Sequence, residues 1–513
     1  MEREAKFELE PGARPALVVA AIERLGAAVR GCRRRRLRDV YLDTGDGWFA
    51  RAGLGFRARF EDGAPAVLTV KTRGRADGWV TSRHEIEESI PADRLRLPGR
   101  LPPGSMADWA RRAGRPPVLD VILEMDHRRV EYDAILPGGP RVKVCVDTVS
   151  LPAVPGRPGF KELEIELAGD RVDALADFAR RLARLTGWPR SRASKIERAL
   201  EQAGRPWPPD GAADEPAASA GDSFLEAGRA VLRRHFLRML RREPGARAGL
   251  DPEQIHNMRV AVRRMRAALR VFGPAMPARR RDRYSAELRW IAAVLGRVRD
   301  ADICLAAWNL DLAGLGAGPR ARLAPFTVRL ERRRARRHTA LLQALDSARY
   351  RRLVRSLERF LLPGAPVAGA PAPAGRPVID MAPRVLRSRM RKTRRELRRQ
   401  TDHAAPQLHA LRIRFKKLRY ACEFFAELYG RRLDKAARRI ASLQDTLGRY
   451  QDEIVMHRFL LDLRRRAVAE EDRAAADLGR LARRHAEAAL RWQRRFRRAH
   501  GDAGLKRIAR LVR

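Results

Sequence analysis

Cysteine is scarce in this chain: four in 513 residues, at Cys32, Cys145, Cys304 and Cys422, with no CxxC or Cys/His spacing. A disulfide-stapled scaffold and a zinc site of the usual spacing are thereby excluded, and a reducing cytoplasm is the expected setting. Aromatic residues make up only 6%, and none interleave with the basic stretches as a single-strand nucleic-acid platform would need. No run of about 18 apolar residues is present to cross a membrane as a helix. The start of the chain is acidic and lacks the apolar core of a signal sequence, so a cytoplasmic protein is expected. Carboxylates are outnumbered too: 62 Asp and Glu stand against 108 Lys and Arg, a formal net charge of +46 and a pI near 11.5. That imbalance points to a polyanionic partner, whether nucleic acid, polyphosphate or an anionic membrane surface.

The charge is unevenly placed. Residues 1–204 hold 37 Lys and Arg against 30 Asp and Glu, a net of +7, and the remainder carries +39. Part of the arginine excess accompanies abundant Ala, Gly and Pro and is read as the drift of a GC-rich genome. The length calls for two to four domains. A stretch of Pro, Gly and small residues without periodicity, Gly204–Gly221, sets a boundary. The expected division is 1–204, a linker at 205–222, and 223–513, the last in halves 223–361 and 380–513 around a Pro/Gly/Ala linker at 362–379.

The first part reads as a succession of two-faced strands. In Met1–Leu9, alternation puts Glu2, Glu4 and Lys6 on one face and Phe7 and Leu9 on the other. Ala16–Val29 has helical spacing and ends near a basic turn, Arg33–Arg36. The pattern of charged and apolar faces then returns: Asp39–Thr44, Arg57 and Arg59 in Leu54–Phe60, Lys71 in Ala66–Lys71, and Arg83, Glu85 and Glu87 in Arg83–Glu87. Leu123–Tyr132 offers Arg128 or Arg129. Arg141, Lys143, Cys145 and Asp147 oppose three valines, and Glu162, Glu164 and Glu166 oppose Leu163, Ile165 and Leu167.

An ordinary half-exposed sheet also alternates, with its charges facing water. A water-facing sheet usually mixes Thr, Ser and Gln among its charges, whereas here the polar face is almost purely Arg, Lys, Glu and Asp. About eight strands is the size at which a closed barrel holds one small ligand. Acids converging in such a lumen suit hard divalent cations, and the Lys/Arg set suits phosphate oxygens. Lumen acids without a metal would repel a polyphosphate, so the mixture calls for Mg²⁺ or Mn²⁺, which would activate water for attack on a terminal phosphoryl group.

The Glu2-Arg-Glu4-Ala-Lys6 start resembles the ExExK signature of the CYTH, or triphosphate tunnel metalloenzyme, family. Tyr41-Leu-Asp43-Thr44, Arg57/Arg59, Lys71, Arg83-x-Glu85-x-Glu87, Asp147, the Glu162/Glu164/Glu166 strand and Ser194-Lys195 resemble its later motifs in order. The resemblance covers about residues 1–204 and implies an eight-stranded antiparallel tunnel that hydrolyses or cyclises triphosphates with a divalent metal. It implies Glu2, Glu4 and Asp147, with members of the Glu162/Glu164/Glu166 set, as metal ligands. Lys6, Arg57, Arg59, Lys71, Arg83, Arg128, Arg141, Lys143 and Lys195 are implied to hold phosphates. Glu4, Lys6, Glu85 and Glu87 are the implied catalytic set, the last two steering water or supporting the basic residues.

From Asp222 onward helical spacing takes over, and the chain repeats itself. The helix from His256 through Arg270 matches His409–Arg419 position by position, 153 residues apart, and Leu295–Asp300 matches Leu447–Asp452 at 152 residues. His256, Arg259, Arg263, Arg266 and Arg270 form one stripe, and His409, Arg412, Lys416 and Arg419 form its copy. The stripes hold no Glu within the motif, so an anion is expected between them, across a pseudo-two-fold axis. Asp300 and Asp452 are expected to cap helices or pair with a neighbouring Arg.

The paired motif resembles the CHAD domain, two helical bundles related by such an axis, and the resemblance implies binding of inorganic polyphosphate by the histidines and basic residues. Together these readings give an α+β chain: a β tunnel followed by an all-α duplicated bundle. The expected function is metal-dependent hydrolysis of inorganic triphosphate beside a polyphosphate-binding module, with cytoplasmic, granule-associated location and no sequence-specific nucleic-acid binding. Adenylate cyclase or thiamine triphosphatase activity, and a non-catalytic polyphosphate adaptor, are the alternatives.

Overall fold

A computed structural model describes residues 2–113, 118–152, 154, 156, 159–204, 218–362, 364, 367–398, 405–470 and 472–499. Residues 205–217 of the expected linker and 363, 365 and 366 of the second one lie outside the described residues. The chain forms two compact units, Met1–Ala212 with Arg241–Gln254, and Ala213–Leu240 with Ile255–Arg513.

The first unit is built on one antiparallel sheet. Its strands are β1 (Glu2–Leu9), β2 (Ala28–Asp43), β3 (Leu54–Glu61), β4 (Ala66–Thr72), β5 (Arg75–Asp77), β6 (Val80–Arg83), β7 (Glu85–Ile90), β8 (Gly99–Arg100), β9 (Val118–Ile135), β10 (Arg141–Ser150) and β11 (Phe160–Ala168). Neighbours run β5-β6-β1-β11-β10-β9-β2-β3-β4-β7, with β8 beside β9. Each strand follows the alternation of its sequence. Ala5, Phe7, Val144, Val146, Leu163 and Ile165 point outward and bury themselves beneath Val18 and Ile22 of helix Pro15–Arg24 and Leu175, Phe178 and Leu182 of helix Val172–Thr186. Each of the larger of these side chains contributes about 1.5–3 kcal/mol, so the outer face, not the inner one, is the hydrophobic core. Phe56, Leu68 and Val70 do likewise on β3 and β4, under Trp48, Phe49 and Trp109.

Two expectations are corrected. Arg33–Arg36 do not form a turn; they extend β2, paired with Glu131, Val130, Arg129 and Arg128 of β9. Exposed arginines accommodate an extended backbone as readily as a turn when a long partner strand supplies the ladder. The expected closed barrel of eight strands is also replaced: among the described residues eleven strands form, and the ladder ends at β5 and β7. The reason lies at His84, where the segment read as one strand divides. β6 pairs with β1 and β7 with β4, so the covalent chain bridges the two margins of the sheet. Thr72 steadies the crossing: its hydroxyl accepts from the His84 N–H at 2.9 Å, and its own N–H donates to the His84 carbonyl at 2.8 Å.

From Phe224 onward the described chain is helical, and most of it makes up the second unit. Phe224–Ala248, Pro252–Phe272, Ala278–Ala313 and Ala317–Asp346 recur as Val378–Arg398, Ala405–Phe424, Arg431–Ala469 and Ala474–Ala499, with starts separated by 153 to 157 residues. Helix Ala348–Phe360 closes the first half. Phe272 meets Phe425 edge-on at 5.5 Å between ring centroids. These two residues occupy equivalent repeat positions, so a residue touches its own duplicate, the mark of a two-fold axis. Among the described residues no helix is long and apolar enough to cross a membrane.

Candidate active site

The inward faces of the sheet enclose a cavity of about 650 Å³. Its lining includes Glu2, Glu4, Lys6, Arg57, Arg59, Lys71, Arg83, Arg129, Glu164, Glu166 and Lys195. Strand register brings them together: Glu4 lies opposite Glu166, Lys6 opposite Glu164, Glu2 opposite Arg83, and Lys71 opposite Glu85.

Two carboxylate triads stand on these inward faces, each with oxygens within 4.8 Å of one another; the first lines the cavity, and of the second only Glu164 does. In the first, Glu2, Glu4 and Glu166, a like-charge pair faces across the ladder, an arrangement that destabilises a sheet. Lys71 reaches Glu2 at 2.9 Å and Arg83 reaches Glu4 at 2.8 Å. Glu166 has no ion-pair partner among the described residues, and burial, then Glu164 and Glu2, push its pKa up to about 7. The second triad, Asp147, Glu162 and Glu164, is already neutralised. Lys195 Nζ lies 3.0, 2.7 and 2.7 Å from the three. Arg129 donates to both oxygens of Asp147, at 2.8 and 2.7 Å, and to Glu164 at 3.0 Å. Lys6 pairs with Glu164, and with Glu4 at 3.3 Å. Burial is the largest influence and opposes these charges, but Lys195 and Arg129 together, with Lys6 at Glu164, outweigh it and hold Asp147 and Glu164 below the ordinary carboxylate range. Beside them Asp39, fully buried, takes a two-pronged contact from Arg59 at 2.7 and 2.8 Å and one from Arg57 at 3.3 Å.

The expected residues do not all arrive here. Arg128 is exposed on the outer face, and Arg129 occupies the inner position. The register decides this: Arg129, not Arg128, lies opposite inward-facing Asp147. Arg141 and Lys143 share the face of Asp147 but sit at the far end of β10, outside the lining, with Lys143 3.6 Å from Glu131. Glu85 pairs with Lys71 at 3.0 Å, and exposed Glu87 accepts from the Thr69 hydroxyl at 3.1 Å; neither lines the cavity. Asp43 is a cap. It accepts from the N–H groups of Phe49 and Ala50 at 2.8 and 3.0 Å, fixing the start of helix Trp48–Arg51. Lys195 begins helix Lys195–Gln202, whose Ser194–Glu197 capping box sets its position.

In the helical unit the two basic stripes meet, but only in part. Arg259, Arg263, Arg412 and Arg419 surround Lys416, and burial followed by these charges brings the Lys416 pKa down to about 7. Lys416 and Arg263 are repeat equivalents, again meeting near the axis. Arg266 and Arg270 instead join Arg289, Arg389 and Lys417. Glu423, at the position equivalent to Arg270, pairs with Arg264 at 3.1 Å and Arg419 at 3.3 Å. Asp300 and Asp452 lie mid-helix rather than at caps, acting on Arg259 and Arg412 respectively. The His409 side chain lies outside the described residues.

Residues 1–200 match the CYTH domain family, and residues 230–461 match the CHAD domain family. The chain is a CYTH domain followed by a CHAD domain. An uncharacterized protein of Mycobacterium tuberculosis (strain H37Rv) is 29% identical over 260 residues, covering 47% of this chain and 48% of that protein. The chain thus spans about half the length of the curated relatives it matches. The CHAD domain of the plant Ricinus communis is 28% identical, with a TM-score of 0.45, over 56% of this chain and 96% of that one. A Hippeastrum protein described as a putative adenylyl cyclase with a dominant triphosphatase activity is 20% identical, with a TM-score of 0.31, over 40% of this chain and 98% of that one.

The CYTH domain implies a triphosphate substrate and a divalent metal, and the first triad fits such an ion. Its donors are all carboxylate oxygens, the set hard cations choose, and among the described residues Glu166 makes no ion pair. The Asp147 triad fits less well, because Lys195, Arg129 and Lys6 already supply its countercharge. Asp39 escaped the sequence reading as a site residue, although alternation along β2 and β3 puts it on the face of Arg57 and Arg59. A lone Asp in a strand gives no such hint until its partner strand is known.

Proposed function

We propose that the CYTH unit hydrolyses inorganic triphosphate with Mg²⁺ or Mn²⁺, and that the CHAD unit binds inorganic polyphosphate in the cytoplasm, at granules. The observation that carries the first half is the make-up of the lining. It combines a carboxylate triad short of countercharge with a ring of cations, and Tyr41 is the one aromatic among its described residues. A nucleobase would find little to stack on; a bare phosphate chain would find donors throughout.

Glu2, Glu4 and Glu166 would hold the cation, which when bound polarises phosphoryl oxygens and activates water. Arg57, Arg83, Lys71 and Lys6 bind and align the phosphate chain and stabilise charge on the departing phosphate. Asp39 orients the arginines, Glu85 orients Lys71, and Arg129 and Lys195 fix the inner wall. Arg128, Arg141 and Lys143 take no part in this reading.

Phosphate release from triphosphate, ATP and thiamine triphosphate, with and without EDTA, tests it. Triphosphate is expected to be preferred and EDTA to abolish turnover; release from ATP alone overturns the assignment. Glu4→Gln is expected to lower kcat by at least about 100-fold, the scale of losing a charge aimed at the reacting centre.

A further inference from the structure

Helices Phe224–Ala248 and Pro252–Phe272 form a hairpin whose tip, Arg241–Gln254, belongs to the first compact unit. Ala248 is buried there among Trp48, Phe49, Leu54 and Phe56, and Leu250 packs against the same cluster. The Trp109 indole N–H donates to the Ala248 carbonyl at 3.1 Å. The tip therefore covers the outward side of β3 near its start, as other helices cover the outward side of β1, β10 and β11. Its tightest approach is to Ala52 and Gly53. Gly245 stands inside a helix, directly after Pro244, where glycine is a poor helix former. Close packing accounts for it: a Cβ at position 245 would lie 2.9 Å from the Ala52 carbonyl oxygen and 2.5 Å from Gln254 Cγ. Gln254 in turn lies against Gly53, its amide nitrogen 3.6 Å from where a Cβ at position 53 would stand. That amide is itself fixed, donating to Asp251 at 3.2 Å and accepting from Arg242 at 3.3 Å.

Gly53 is at the same time part of the cavity wall. Gly53, Gly55, Arg57 and Arg59 all line the cavity, and the Gly53 carbonyl accepts from the N–H of Arg73, another lining residue, at 2.8 Å. Gly55 lies opposite Lys71 across the β3–β4 ladder. With φ at +71°, Gly53 occupies the left-handed region that glycine alone enters freely, so its own conformation does little to stiffen this stretch. Resting on the reading of the first unit as a triphosphatase, we infer that the hairpin tip is the outer support of this wall. Gly245 and Gln254 are positioning residues, although they lie beyond the 1–200 span that matches the CYTH family. They hold Ala52–Gly55 in place and, through it, set Arg57, Lys71 and Arg73 at the spacing a phosphate chain requires. A side chain at position 245 has to push Ala52 aside, and that shift enters the cavity at Gly53.

Steady-state hydrolysis of triphosphate by the full chain, in Mg²⁺, tests this with Gly245→Ala and Gln254→Ala. Alanine is the better helix former, so harm from Gly245→Ala cannot come from the helix itself. Misplaced binding cations weaken substrate capture, whereas a merely destabilised protein loses active molecules and shows a lower kcat at unchanged KM. Gly245→Ala is expected to raise KM by about tenfold with kcat within about twofold. Gln254→Ala, which adds no bulk and decides the matter if the first variant fails to fold, is expected to raise KM by about threefold. The double variant removes the clash with Gln254 and keeps the one with Ala52, so its KM should stay raised. An unchanged KM in Gln254→Ala, or a fall in kcat alone in either variant, overturns the inference while the wild type still turns over triphosphate. A wild type that releases no phosphate from triphosphate overturns the underlying reading instead, so the two failures are distinguishable.

Discussion

A buried charge is informative when its partners are counted. Asp39 answers two arginines on the adjacent strand and sits 3.1 Å from His127 Nε2. Burial works against its charge, but Arg57 and Arg59 prevail and hold its pKa well below the ordinary carboxylate range. Its stabilising effect is therefore complete above the unfolded carboxylate value of about 3.9 and disappears as pH falls through the lower folded value. Asp39→Asn removes the carboxylate that directly pairs two largely covered guanidinium groups, and a loss of about 3 kcal/mol is expected in chemical denaturation of the first unit. Arg129→Lys keeps the charge but loses the two-pronged grip on Asp147, so kcat/KM should drop by about tenfold, or about 1.4 kcal/mol. Arg128→Lys, on the outer face, should stay within about twofold. The motif residues Glu2, Glu4, Lys6, Arg57, Arg59, Lys71, Arg83 and Lys195 could be read from the chain because strand period and signature agreed. The choice between Arg128 and Arg129 could not, since adjacent identical residues alternate faces and only the cross-strand partner says which one turns inward.

At the scale of elements, the placing of Lys195 depends on how its helix begins. The Ser194 hydroxyl accepts from the Glu197 N–H at 3.4 Å, while the Ser194 N–H donates to the Glu197 carboxylate at 2.8 Å. Ser194→Ala should cost about 1 kcal/mol of stability. It should also lower kcat/KM, because Lys195 loses its fixed origin; thermal melts paired with steady-state kinetics separate the two effects. Strand existence was legible from alternation at eight places. The division at His84 was not, because Arg83–Glu87 keeps its period-two pattern across the break and only pairing with different neighbours reveals two strands. Arg33–Arg36 misled for a related reason: consecutive like charges carry no period, so the sequence there is silent on whether the chain turns or extends.

For the molecule as a whole, the internal repeat was the clearest signal in the chain, since a match at constant spacing needs no knowledge of structure. The meeting of the stripes was only partly legible, as helix crossing takes Arg266 and Arg270 away toward Arg289 and Arg389. Arg259 and Arg412 are equivalent positions beside Lys416, so Arg259→Ala and Arg412→Ala should weaken polyphosphate binding alike, each by about 1.5 kcal/mol or roughly tenfold. Arg336→Ala, which removes an exposed arginine elsewhere, should leave affinity nearly unchanged at the same net charge and salt concentration. That comparison tells local recognition from bulk attraction.

The ring contact between Phe272 and Phe425 has a consequence for how this gene can drift. A position that touches its own copy is read twice, like the central letters of a palindrome, so a change in either arm alters the same seam. Two arms joined in that way are free to diverge toward their outer ends but must keep step along the line where they mirror each other.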